Sequence, residues 1–189
     1  MLTKLLKAFP NLLLGRIGFS EFLRRFLLPM RFRGFFTDKN LHFKEKVAVS
    51  DVGKTEVSIE TIFSRISSNS IFLKMDIEGS EYEVLTQIVE RAERFTGIVI
   101  EFHDIGSGID RFLSSLSELS KSFDIIHIHG NNYDSFLPEI DFPNNIELTL
   151  SRKGLHSSKL SFLKAPISDL DSPNNPKIRD LSFTLNTHF

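Results

Sequence analysis

IFLKMDIEGSEYEVL, residues 71–85, sets the frame for the whole chain. The apolar run at its start reads as a buried strand, Gly79 as a tight turn, and the residues from about Ser80 to Phe95, which Gly97 ends, as a helix. A strand that empties through a turn into a helix is the repeating unit of an α/β protein. Three carboxylates, those of Asp76, Glu78 and Glu81, fall within six residues of this strand mouth. Asp76 and Glu78 are the pair expected in a site, whereas Glu81 and Glu83 are expected on helix turns that face water.

Reading outward, the same alternation continues. KVAVSD, which ends in Ser50 and Asp51, reads as a buried strand followed by a glycine turn at Gly53. TEVSI reads as a short extended piece, and ETIFSRI as a helix with apolar positions at Ile62, Phe63 and Ile66. GIVIEFHD is a strong strand. A helix over about Ile109–Phe123, with Phe112, Leu113, Leu116 and Leu119 at helical spacing, leads to the strands FDIIHIHG and NIELTLSR. Between those two, Pro138 and Pro143 mark a loop expected over one end of the sheet. Beyond Gly154 the Ser-, Pro- and Asn-rich chain reads as an ordered arm or a loose tail. The expected division is a basic helical segment over residues 1–45, an α/β core over 46–155 and a C-terminal arm over 156–189.

Composition narrows the function classes. With 189 residues, Lys+Arg 23 against Asp+Glu 24, and no cysteine, there is no global field to attract nucleic acid. Disulfides, thiol nucleophiles and cysteine zinc sites are excluded, and the lack of thiol chemistry suits a reducing, cytoplasmic compartment. The first 35 residues are the exception to charge balance, with Lys4, Lys7, Arg16, Arg24, Arg25, Arg31 and Arg33 against Glu21. This segment reads either as helices packed on the sheet with solvated arginines or as a peripheral contact with an anionic membrane. Pro10 and Asn11 interrupt its apolar run and argue against a cleaved secretory signal. No segment is long enough to span a membrane.

In open α/β sheets, ligands bind beyond the carboxyl ends of the strands. Four successive strands deliver polar groups there: Ser50 and Asp51; Asp76 and Glu78; Glu101, His103 and Asp104; His127 and His129, followed by Asn131, Asn132 and Tyr133. Glu101 and His103 share one face of their strand, as do His127 and His129, because side chains alternate. The alternative to a site is a structural Glu–His pair and a satisfied core histidine. Oxygen and imidazole groups also suit a divalent metal, with Asp76, Glu78, Glu101, His103 and His129 as the candidate ligands.

LKMDIEGSEYEVL resembles the Lys-x-Asp-x-Glu-Gly-x-Glu signature of FkbM-type methyltransferases. VAVSD resembles that family's third strand, GIVIEFHD its fifth, and FDIIHIHGNNY with NIELTLSRK its closing antiparallel pair. The resemblance implies a Rossmann-like class I methyltransferase sheet with an antiparallel closing hairpin. It also implies S-adenosylmethionine as methyl donor and a hydroxyl of a sugar or natural product as acceptor. On this reading Ser50, Asp51 and Asp76 meet the donor. His103 is the base, oriented by Glu101, while Asp76 and Glu78 bind acceptor hydroxyls or steady the cationic donor. His129, Asn131, Asn132 and Tyr133 form the acceptor wall. The sequence departs from the family upstream of VAVSD. Neither a strand with a glycine-rich loop nor a ribose-binding acid is visible there, so the sheet is expected to be truncated at its N-terminal half. A covering partner chain, hence an oligomer, or a non-catalytic binding module are the alternatives this opens.

Overall fold

The computed structural model describes residues 45–155 and 162–186, apart from 52, 54 and 168, together with isolated positions before residue 45. The chain divides into two compact units, Met1–Lys44 and Glu45–Phe189, and the main sheet with its helices belongs to the second. The basic N-terminal segment and its expected membrane contact lie outside the described residues. Among those described, no helix is long and apolar enough to cross a membrane.

The second unit is a mixed α/β structure. It opens with two short parallel strands, β1 (Lys46–Ala48) and β2 (Glu56–Ser58). KVAVSD is therefore not the buried strand its composition suggests: only three residues pair, Lys46 is exposed, and Val47 and Ala48 are half-buried. Helix α1 (Ile59–Ser64) follows directly, because the Ser58 hydroxyl accepts from the Thr61 amide at 3.1 Å and satisfies a free donor of its first turn.

The main sheet has four strands in the order β3 (Ile71–Met75), β4 (Phe95–Phe102), β8 (Ile146–Arg152), β5 (Phe123–Gly130). β3 and β4 are parallel, and β8 runs antiparallel to both β4 and β5. The expected antiparallel closing pair is present, with β8 inserted between β4 and β5. As a result β3, β4 and β5 all point the same way, and their carboxyl ends share one edge. Helices α2 (Glu81–Val89) and α3 (Ile109–Ser120) connect these strands. Gly97 does not end α2. It lies inside β4, where a side chain would come within 2.9 Å of the Leu150 carbonyl and 3.0 Å of the Phe72 ring. The close approach of neighbouring backbone explains the glycine.

The core follows the two periodicities. From α2, Val84, Leu85 and Ile88, and from α3, Phe112, Leu116 and Leu119, meet Ile98, Ile100 and Phe102 of β4 and Leu148 and Leu150 of β8. Full burial of each such side chain contributes roughly 2 kcal/mol, so this one face of the sheet dominates stability. Leu113, one residue off the buried stripe, is exposed.

The loop over 131–145 is more structured than its prolines suggest. It carries a small hairpin of β6 (Phe136–Leu137) and β7 (Phe142–Pro143). The segment after Gly154 is an arm over its described residues: β9 (Phe162–Ala165) and β10 (Phe183–Asn186) pair antiparallel, and Leu163, Ala165, Phe183 and Leu185 are buried. A run of ring contacts, Tyr82–Phe102–Phe112–Phe142–Phe183, links α2 to β10.

Candidate functional site

The carboxyl ends of β3 and β4 converge on His103. Its backbone is pinned from two sides. The Tyr82 hydroxyl donates to the His103 carbonyl at 2.9 Å. Asn145 Oδ1 accepts from the Asp104 amide at 3.1 Å, and the Asn144 carbonyl and side chain accept from Ile105 and Gly106. Burial pushes the Tyr82 phenol up to about 12, with Arg111, stacked 3.9 Å from the ring centre, working in the opposite direction.

Glu81 orients the imidazole. This acid is fully buried and does not face water as its place in an amphipathic helix suggests. Gly79, at φ 99°, follows Glu78, at φ 55°, and this left-handed pair turns amides inward. Glu81 Oε1 accepts from Ile77 N and Oε2 from Gly79 N, each at 3.0 Å. With its oxygens already acting as acceptors, the 3.1 Å contact between Glu81 Oε1 and His103 Nδ1 is one in which the ring nitrogen donates. Nε2 is thereby the ring nitrogen that faces the strand mouth.

Around Nε2 stand three carboxylates: Glu78 Oε2 at 3.7 Å, Asp76 Oδ1 at 3.9 Å and Glu101 Oε1 at 3.9 Å. All are beyond hydrogen-bond range. Glu101 shares the face of His103 as expected, yet it does not orient the ring. Its Oε1 accepts from Asn131 Nδ2 at 2.8 Å, and the partner at Nδ1 is Glu81. Lys74 is held above its ordinary range chiefly by its hydrogen bond to Glu147, with weaker help from Asp76 and Glu101.

The remaining predicted residues lie in other settings. The Asp51 carboxylate accepts from the Ser58 amide at 2.7 Å and the Thr61 hydroxyl at 2.6 Å, and these bonds hold it below its usual range; Ser50 is exposed. His129 Nε2 meets Asp180 Oδ2 at 3.1 Å, which removes it from the candidate metal ligands. His127 Nε2 lies 2.9 Å from Asp171 Oδ1 without forming a hydrogen bond, so of the two β5 histidines His129 is the satisfied one. Asn132 is buried and bonded to Asn175 N at 2.6 Å and Asn175 O at 3.1 Å. Tyr133 is 69% exposed. Of the five candidate metal ligands, the structure brings Asp76, Glu78 and His103 within 4.8 Å of one another. The groove between α2 and α3, lined by Tyr82, Thr86, Arg111 and Glu118, contains none of them.

Sequence reasoning missed Glu81 and Tyr82. An acid two residues after a Glu-Gly turn was the available signal for the first, since that turn's amides need an acceptor.

Comparison with curated proteins and with solved structures found no match. The family model described as the methyltransferase FkbM domain matches residues 27–150. That span covers well over half the chain and includes every element of the His103 centre, and the motif Asp76-x-Glu78-Gly79-x-Glu81 accounts for its geometry. The chain belongs to the FkbM methyltransferase family.

Proposed function

We propose that this protein is an S-adenosylmethionine-dependent O-methyltransferase acting on a hydroxyl of a sugar or natural product, built on the closing half of a Rossmann-like class I sheet. The observation that carries the reading is the orientation of His103, with Nδ1 committed to a buried acid and Nε2 turned toward three carboxylates at the strand mouth.

The bound donor would supply an electrophilic methyl group on a sulfonium. The described residues fit the acceptor half of such a site and not the donor half. No glycine-rich loop follows a strand among them, and the Asp51 carboxylate, expected near the adenosine, is engaged with Ser58 and Thr61.

What these residues do for an acceptor is specific. Asp76 and Glu78 accept from its hydroxyls, and their negative charge favours a cationic neighbour. The hydroxyl proton passes to the cluster of His103 and Glu101, held at fixed distance so that an incoming oxygen finds its acceptor already in place. Glu81 and Tyr82 hold that cluster without touching substrate.

Transfer of labelled methyl from S-adenosylmethionine to a panel of polyhydroxylated acceptors tests the proposal. Activity that falls at least 100-fold in His103→Ala is expected, since general acid–base help contributes about 10²–10⁴-fold. Absence of heat on titrating the concentrated protein with S-adenosylmethionine and S-adenosylhomocysteine would overturn it. That result favours the second reading, a methyltransferase-like binding module, which the engaged Asp51 supports.

A further inference from the structure

We infer that Asp76, Glu78 and His103 bind one divalent transition-metal cation at the joint mouth of β3 and β4. The donor atoms, one from each residue, lie within 4.8 Å of one another. Metal–ligand bonds of about 2.1 Å place donors about 3 Å apart when adjacent and about 4 Å when opposite, so modest turns of two exposed carboxylates complete the shell. Nε2 of His103 stands 3.7 Å from Glu78 and 3.9 Å from Asp76, too far for hydrogen bonds and suited to an ion between them.

Proximity of acids alone would not carry this. His103 is the second observation: its side chain is 9% exposed, and its Nε2 makes no hydrogen bond while facing the carboxylates. With no protein group at hydrogen-bond distance, Nε2 is open to an incoming ligand. Its other nitrogen donates to Glu81, itself clamped by two backbone amides. Metal-bound histidines are held in this way, with an outer carboxylate fixing tautomer and ring angle. Charge points in the same direction. Three carboxylates surround Nε2, while the neighbouring Lys74 is bonded to Glu147. One imidazole with two carboxylates suits Mn²⁺ or Zn²⁺ better than an all-oxygen ion such as Ca²⁺. Asp76 and Glu78, 43% and 86% exposed, leave the site open to an entering ion.

The site itself stands on these side chains; its role rests on the methyl-transfer reading. A hydroxyl at an open position of the ion becomes more acidic. With Nε2 committed to the metal, Glu101 takes the proton as the O–H bond breaks.

Mn²⁺ titration of the full chain, without donor or acceptor and followed by loss of the free-ion electron paramagnetic resonance signal, tests the site. One saturable ion per chain is expected. Affinity should drop at least tenfold in Glu78→Gln and about 10–100-fold in Glu81→Gln, and be unchanged in Glu83→Gln on the exposed face of the same helix. Circular dichroism checks the fold of each variant, and the exposed Glu78 position keeps the test valid if His103→Ala does not fold. A free-ion signal unaffected by protein, or binding that Glu78→Gln and His103→Ala leave unaltered, overturns the site. Mn²⁺ binding with methyl transfer insensitive to a chelator overturns only the role.

Discussion

Along β5 and just past it, polar side chains have found partners: His129 meets Asp180, and Asn132 is bonded to Asn175. At the neighbouring mouth of β3 and β4, Asp76 and Glu78 stand near the Nε2 of His103, which faces oxygens too distant to hold it. Both places carry the same residue types on strands of the same sheet. The difference is that residues 171–180 fold back over the first and nothing comparable, among the described residues, covers the second. Closed polar groups specify structure; open ones are available for chemistry.

Substitutions can break this contrast, beginning with the acid that belongs to the open region yet is itself closed. Glu81→Ala leaves the amides of Ile77 and Gly79 and Nδ1 of His103 without their acceptor, and is expected to cost about 3 kcal/mol in urea denaturation. Glu81→Gln, which keeps one acceptor oxygen, should cost less than half of that. In the closed region, Asn132→Ala should cost about 2 kcal/mol and make the arm around Asn175 more sensitive to limited proteolysis. A double-mutant cycle on His129 and Asp180 should return a coupling of about 1 kcal/mol, since both side chains are largely buried. The open acids should behave in the opposite sense. Asp76→Asn and Glu78→Gln are each expected to leave stability unchanged or to raise it by about a few tenths of a kcal/mol, because each relieves like-charge repulsion. A loss above about 1 kcal/mol for either would end the contrast.

A small effect confined to alkaline pH belongs to Tyr82, which holds the His103 backbone. Its phenol retains its proton up to about 12 in the folded protein, above the ordinary value of 10.0. The stability this gives is complete below about pH 10 and is lost as pH rises toward about 12, where the unfolded chain ionises first. Partial exposure of the ring limits the effect to below about 1 kcal/mol. Tyr82→Phe should flatten the alkaline limb of the stability profile between those pH values.

Much of the fold was legible because long apolar runs bounded by turns leave little choice. β3, β4, β5 and β8 follow IFLKM, FTGIVIEF, FDIIHIHG and IELTLSR. Gly97 misled because a glycine near a helix end and a glycine under a crossing backbone look alike in sequence. Asp76, Glu78, Glu101 and His103 were legible as a group, because strand alternation and shared direction bring them to one edge. Who holds whom was not. The Glu81 contact reverses the usual meaning of an acid in a first helical turn, and Asn132 finds its partner 43 residues away. Asp51 shows the same limit: residue type announces a strand-end acid, and only packing reveals that it closes the turn before α1.

The family match stops at residue 150, whereas the buried interior continues through Leu163, Ala165, Phe183 and Leu185. The arm that seals β5 thus lies beyond the shared region, joined to it through Phe142 and Phe183. The groups that close over His129 and Asn132 are thus supplied by chain outside the matched span, while every residue around His103 lies within it.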